Sequence, residues 1–485
     1  MAVYKFLDKV DKNKIFITDW SEIDNRLDPE LLLYNKEISL FKYPLIPLKR
    51  LLIKDPQYGA NETGIERNDI QEPRYIRITD INEFGILKDV LGKTAKTIDE
   101  KFILNNNDIL FARSGNTVGK SYLHKKDNVN YSCFFAGYMI RFVVNQKIIL
   151  PDYLFIYTQL EPFKKWVKAI MRTAGQPNIN AEEYKNLKIP TPSTLTEQQK
   201  IINLYNKAYQ TKQQKEQHAK ELLNSIDTYL LKELDVVLPK KETNLQSRMF
   251  QVNFSEVSGE RFDSYYYRKD FKQFFKNLKK GKYPIISLKK ASNRITSGIT
   301  PKSRSDSYTN MKDGIPFIRS GNININGDLN FNDLLHIKKE IHNGRMKSSK
   351  VHFQDLMIAI VGATIGQVGI YLDKKEANIN QAIALVTLKQ NINPFYIKEL
   401  FKSSIGQYNL NRLKRPVARA NINLEEISTM QIILPPKEKQ KEIAEHIRGI
   451  RLNAKRTLLE ANTILENAKQ EVEQLILGKN ENIIQ

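Results

Sequence analysis

The sequence repeats itself, and that constrains its fold more than any single motif does. NNDILFARSGNTVGKSYLHKKD, from Asn106, reappears as FQDLMIAIVGATIGQVGIYLDKKE, from Phe353, with Asp108, Gly115 and Gly119 matching Asp355, Gly362 and Gly366 at a constant offset of 247. Other pairs keep the same order: FKYPLIPLKR with GKYPIISLKK, PRYIRITDIN with IPFIRSGNIN, the NIN triplet at Asn178–Asn180 with that at Asn421–Asn423, and RLDPELLLY with RFDSYYY. The offset drifts by a few residues, as loop insertions would make it. A large unit has been duplicated in tandem, so the fold is expected to be one framework built twice.

The duplication settles how FARSGNTVGKS should be read. Gly115, Gly119, Lys120 and Ser121 approach a phosphate-binding loop, but the glycines are one residue too close and no helix follows. In the second copy Gln367 and Val368 replace the lysine and serine while both glycines remain. The glycines therefore serve geometry. An apolar run, a Gly-x-x-x-Gly turn and a second alternating run predict a strand, tight turn and strand. Lys120 is left as a contact for a DNA phosphate.

Each copy closes on a short apolar strand, prolines and a polar helix start: IPTPSTLTEQQKII and ILPPKEKQKEI. Long helices are expected after both. In the first, Ile201, Tyr205, Ala208, Lys212, Lys215, Ala219, Leu222, Ile226, Tyr229 and Glu233 follow a heptad. In the second, Ile443, Ile447, Ile450, Ala454, Leu458, Ala461, Leu465, Ala468, Val472 and Leu475 do so. Helices this long need a partner along their length, and antiparallel pairing of the two as a coiled-coil spacer is expected.

Of 485 residues, 76 are Lys or Arg and 54 Asp or Glu, a formal net charge of +22, which favours a polyanionic partner, nucleic acid first. The charged start MAVYKFLDKVDKNK is no signal peptide, no membrane span is apparent, and the single Cys133 excludes an internal disulfide. A cytoplasmic protein is expected. Catalytic motifs fail one by one. NPFY (Asn393–Tyr396) departs from the adenine-methyltransferase loop and becomes LPDY in the first copy, where both read as helix starts. A nuclease trio of Asp152, Glu183 and Lys185 loses its lysine to Ser428. The six histidines show no ligand spacing, although His336, His342 and His352 fall in a loop-rich stretch. The chain reads as non-catalytic, with no cofactor or metal of its own.

DNA reading needs forked donors, Arg for guanine and Asn or Gln for adenine, among Lys and Ser/Thr contacts to phosphate. In the first copy these are Arg74, Arg77, Arg113, Asn116, Lys120, Gln176 and Asn178. In the second they are Thr296, Ser297, Lys302, Arg304, Arg319, Asn322, Arg345, Lys347, Arg412, Lys414, Arg415 and Arg419. The stretch Arg412–Arg419 carries the most concentrated charge. Loops correspond between copies while their side chains differ, as two readers of different sequences would.

SGITPK (Ser297–Lys302), IPFIRSGNI (Ile315–Ile323), DILFARSG and DLMIAIVG, the NIN triplets, and IPTPSTLTEQQKI with LPPKEKQKEI together resemble the specificity subunits of type I restriction-modification enzymes over nearly the whole chain. The resemblance implies an α/β (α+β) fold with an internal pseudo-twofold repeat. Its expected parts are an N-terminal segment (1–40), target-recognition domains at 41–195 and 241–435, and helical spacers at 196–240 and 436–485. It further implies recognition of a bipartite double-stranded DNA site that directs adenine methylation and restriction. Two methylation subunits would carry S-adenosylmethionine, and restriction subunits would carry ATP and Mg. The competing expectations are a stand-alone DNA methyltransferase or nuclease, and a basic coiled-coil scaffold.

Overall fold

The computed structural model describes residues 18, 20, 28–171, 177–240, 246, 249–258, 261–302, 306–415 and 420–477. They form two compact units, one of residues 1–216 with 459–485 and one of residues 217–458. The 39-residue helix Leu195–Glu233 and the 41-residue helix Lys437–Leu477 each give one half to each unit.

In the first unit, Leu45–Pro47 pairs with Lys188–Pro190, and a four-stranded antiparallel sheet is ordered Gln57–Tyr58, Met139–Phe142, Ile109–Ala112, Ser121–Leu123. A second sheet runs Ile65–Glu66, Lys93–Thr94, Arg74–Ile76, Cys133–Phe135, the last pair parallel. The second unit keeps this plan. Ile285–Ser287 pairs with Gln431–Ile433, and one sheet is ordered Ser292–Ser297, Ile383–Leu388, Leu356–Ala359, Val368–Ile370. Its other sheet has five strands, Tyr308–Thr309, Leu335–Ile337, Ile315–Ile318, Ala377–Ile379 and Lys350–Val351, again with one parallel pair. The expected strand, turn and strand are present in both copies. Gly115 and Gly119 have φ of 79° and 85°, Gly362 and Gly366 of 76° and 92°, a region that favours glycine.

The repeated motifs have repeated jobs. The last Asn of each NIN triplet caps a short helix: Asn180 accepts from Glu183 N–H while Glu183 accepts from Asn180 N–H, each at 2.9 Å. Asn423 and Glu426 repeat this capping box. The glutamine at the start of each long helix is a buried clamp. Gln198 accepts from Leu150 N–H and donates to the Ile148 carbonyl; Gln440 accepts from Asn393 N–H and donates to the Pro435 carbonyl. LPDY and NPFY both begin helices, Pro151–Tyr157 and Pro394–Lys402, with Tyr153 and Tyr396 donating to the Pro190 and Ile433 carbonyls.

One buried group is matched but not its partner. Asp108 and Asp355 are 2% and 1% exposed. Arg141, on the strand next to Asp108, pairs with it at 3.3 Å, whereas Asp355 is paired at 2.9 Å by Arg294 from the edge strand of its sheet. The residue of the second unit that matches Arg141 in strand pairing is Leu385.

In the first unit Ile201, Ile202 and Tyr205 share a core with Leu465, Val472 and Ile476, and Lys215 pairs with Glu460 at 2.8 Å. In the second, Ile226, Leu230 and Leu234 share a core with Ile443, Ala444 and Ile447, and Glu233 pairs with Lys439 at 2.6 Å. Within each unit the two half-helices run in opposite directions. Both also pack on the four-stranded sheets, so the seam departs from a strict heptad. Leu458 and Leu475 are 38% and 43% exposed, and Thr457 and Ile476 are buried instead. Lys212 sits on the seam at 3% exposure, with its ammonium over the Phe84 ring and paired with Glu216.

Candidate nucleic-acid interface

The turn after Ala112 is held from two sides by backbone bonds. Arg113 N–H donates to the Tyr138 carbonyl (2.9 Å), Gly115 N–H to the Pro177 carbonyl (3.0 Å), and Ile179 N–H to the Arg113 carbonyl (2.8 Å). The second unit repeats all three, from Ile360 to Ala382 (2.9 Å), Gly362 to Ala420 (3.1 Å) and Ile422 to Ile360 (3.0 Å). The opposite wall is set by a close approach. A Cβ on Gly59 would stand 2.3 Å from the Ala136 carbonyl oxygen, and one on Gly298 1.7 Å from that of Ile379. These constraints align position with position. Tyr58, Arg113, Ser114 and Tyr138 occupy the places of Ser297, Ile360, Val361 and Ala382, while Asn178 matches Asn421.

In the first unit the frame surrounds a cleft of about 440 Å³ lined by Tyr58, Asn61, Arg113, Ser114, Tyr138 and Asn178 among others. Tyr58 is fixed from behind, its hydroxyl accepting Ala181 N–H at 3.1 Å, and the Arg113 guanidinium lies 4.9 Å from its ring centroid. Arg113 Nε and Ser114 Oγ are buried with no hydrogen-bond partner. Tyr138 is 64% exposed. Donors left unbonded inside a cleft are costly unless something enters to accept from them.

The other expected contacts are placed unevenly. Arg74 is 2% exposed and spends its guanidinium on the Tyr131 hydroxyl and the Lys88 carbonyl. It is a structural residue, on a strand whose three residues are all buried. Asn322, 4% exposed, accepts from Arg319 N–H and donates to the Asn330 carbonyl, so it too works inside. Arg77 and Arg319 occupy matching positions, each beside an acid: Arg77 with Asp80 at 2.9 Å, which raises its pKa, and Arg319 with Asp333 at 3.5 Å. Lys120 donates to the Ile81 carbonyl at 2.7 Å, and burial lowers its pKa. Asn116, Lys302, Arg345 and Lys347 are exposed. Thr296 and Ser297 are half-buried on the edge strand.

The Arg412 stretch, densest in charge, is partly consumed by packing. Arg412 lies 3.9 Å from the Tyr266 ring centroid and 4.8 Å from that of Phe275. Lys414 donates to the Asn411 side chain with its pKa lowered by burial, and Arg415 pairs with Glu426 at 2.8 Å. Gln176, Arg304 and Arg419 lie outside the described residues.

The nuclease candidates each have another partner, Lys185 pairing with Glu182 at 2.7 Å. Glu183 is in its capping box and Asp152 is paired with Lys125 at 2.7 Å. His342 is buried against Asn378, with its pKa lowered by burial. Among the described residues no group of three or more His, Cys, Asp or Glu is placed to hold a metal ion, and no helix is long and apolar enough to cross a membrane.

Comparison with known proteins agrees with the doubled frame. The family described as "Type I restriction modification DNA specificity domain" matches twice, over residues 60–225 and 262–451. The chain belongs to this specificity-domain family. A Methanocaldococcus jannaschii relative, the type I restriction enzyme MjaVIII specificity subunit, is 22% identical over 400 residues, 80% of this chain and 82% of its own. The Escherichia coli type I restriction enzyme EcoBI specificity subunit is 29% identical over 205 residues, 41% of this chain and 40% of its own. A solved structure described under assembly and conformational transition of the type I R-M system shares the fold, with a TM-score of 0.53 and 14% identity over 90% of this chain and 97% of that one. Between the two matched repeats the backbone frame is common, while the side chains at the places of Tyr58, Arg113 and Tyr138 differ. Sequence reading missed Tyr58 and Tyr138. The available signal was the YGA/SGI correspondence around Gly59 and Gly298, with an aromatic before one glycine and a serine before the other.

Proposed function

We propose that this chain is the non-catalytic DNA-reading subunit of a type I restriction-modification complex. In this reading residues 41–195 and 241–435 are target-recognition domains, each meeting one half of a split double-stranded DNA site. Residues 196–240 and 436–485 form the coiled-coil spacer that sets the gap between the halves. Two methylation subunits bring S-adenosylmethionine and modify adenine, and restriction subunits bring ATP and Mg, in the cytoplasm. The observation that carries the reading is one backbone frame occurring twice with different side chains in its cleft, on a chain of net charge +22.

The test is a genome-wide map of methylated bases in the source cell with and without this gene. Loss of methylation at a split motif with an unread gap supports the reading. Unchanged methylation, together with a purified chain that binds all duplexes equally, sinks it.

A further inference from the structure

Resting on the DNA-reading role, we infer that the cleft of the first unit is a guanine reader, with Arg113 as its specificity-determining residue, and that the corresponding cleft of the second unit reads no guanine at that position.

The argument is one of elimination followed by fit. The described candidate arginines other than Arg113 and Arg345 all have a hydrogen-bonding or charged partner: Arg74 has Tyr131 and Lys88, Arg77 Asp80, Arg319 Asp333, Arg412 the Tyr266 carbonyl and Arg415 Glu426. Arg345 is exposed on the surface. Arg113 differs from both kinds. It is half-buried in a cleft, and among the described residues no carboxylate or carbonyl bonds its guanidinium; its Nε is shut away from solvent without a partner, as are those of Arg74 and Arg319.

A planar fork of donors held on a fixed aromatic ring has lost much of its side-chain entropy before anything binds. Bidentate donation to guanine O6 and N7 is the base contact suited to such a fork. The surrounding groups suit the same occupant. Ser114 Oγ is a second unsatisfied polar atom beside it, and the exposed Tyr138 ring offers a flat apolar face at the mouth. Phosphate would also attract Arg113, but a phosphate contact needs neither the ring beneath nor a recessed position.

In the second unit Ile360 and Val361 replace the arginine and serine, and Ser297 and Ala382 replace both tyrosines. Among the described residues no fork stands at these matched positions, and the Arg415 guanidinium that reaches Asn421 is paired with Glu426. The two halves of the target should therefore differ in kind at this register.

Once the split motif is known from methylation mapping, the full-length chain assembled with its partners is titrated against duplexes carrying each single base-pair replacement. For the native protein, replacing one G·C pair in one half should weaken binding about 10- to 100-fold. Arg113→Ala should reduce that penalty to below about threefold while every penalty in the other half persists, which also shows that the variant is folded. Arg113→Lys keeps the charge without the fork and should behave as Arg113→Ala does at that pair. The assignment is overturned if the G·C penalty survives in Arg113→Ala, if Arg113→Lys retains it in full, if the relaxed pair is A·T, or if penalties in both halves vanish together. Absence of any split motif for the native protein would instead remove the DNA-reading role beneath it.

Discussion

Asp108 in the first unit and Asp355 in the second occupy the same place before the same strand, are almost fully buried, and receive their arginines from different strands, Arg141 from an inner strand and Arg294 from the edge. A carboxylate inside a sheet demands a cation, and the demand is local, but the backbone does not dictate which neighbour supplies it. The clefts teach the same lesson with the opposite emphasis. Three backbone bonds and one glycine contact are duplicated, whereas the lining changes from Tyr, Arg, Ser and Tyr to Ser, Ile, Val and Ala. Features that hold the frame are repeated or replaced by equivalents; features that face outward from it are not.

The comparison can be broken most forcefully at the buried pair. Removing one partner of such a pair costs about 3–5 kcal/mol. Arg141→Leu is expected to lose that much in the first unit only, and Arg294→Leu less in the second, because the Arg294 side chain is 27% exposed. Hydrogen exchange resolved by unit checks both, and equal loss of protection in the two units would contradict the locality.

A second asymmetry is one of pH. Burial, with Lys126 adding to it, pulls His124 down from 6.5 to about 4 while its Nδ1 faces the Tyr122 hydroxyl at 3.1 Å. The folded state resists protonation that the unfolded chain accepts. The stabilisation is therefore complete above pH 6.5 and is lost as pH falls from there towards 4, by at most about 3 kcal/mol. His124→Gln should flatten the acid limb of the first unit's unfolding profile, measured by the same exchange experiment between pH 4 and 7.

Smaller effects sharpen the correspondence of the frames. Gly59→Ala and Gly298→Ala each push a methyl group into a carbonyl, an overpacking cost of about 1–3 kcal/mol. The Gly298 variant should be the worse, because its Cβ would approach to 1.7 Å rather than 2.3 Å. Thermal melts of the two variants give the order directly. Asn180→Ala and Asn423→Ala remove equivalent helix caps and should each cost about 1 kcal/mol. A cost at one site and none at the other, in denaturant titrations, would mean that the triplets are not equivalent.

Much of this was legible from the residues. Glycines retained where a lysine was not name a backbone task; the Asn-to-Glu caps and the helix-start glutamines carry equally local signatures, which the repeat pairing marks only as repeats. What was not legible depends on partners distant in sequence. Nothing around Arg74 says that Tyr131 and the Lys88 carbonyl will absorb it, and nothing in RLKRPVARAN says that Arg412 will lie on Tyr266. Charge density therefore pointed to the stretch most used for packing, while the cleft is assembled from segments more than fifty residues apart around Tyr58, Arg113 and Asn178. The heptad reading of the second long helix failed at Leu458 and Leu475 for a related reason. A helix packed on both another helix and a sheet buries a broader face than a two-helix seam requires.

The differing source of the buried arginine also bears on how such chains could be reshuffled. Exchange between the two copies with a crossover inside the sheet would join the edge strand of one to the inner strand of the other. One product would carry both Arg141 and Arg294 equivalents around a single aspartate, and the reciprocal product neither. The first crowds two cations and the second buries a bare carboxylate, so both hybrids should fold poorly. Crossovers that move the whole sheet escape the penalty, because each aspartate then keeps its own arginine.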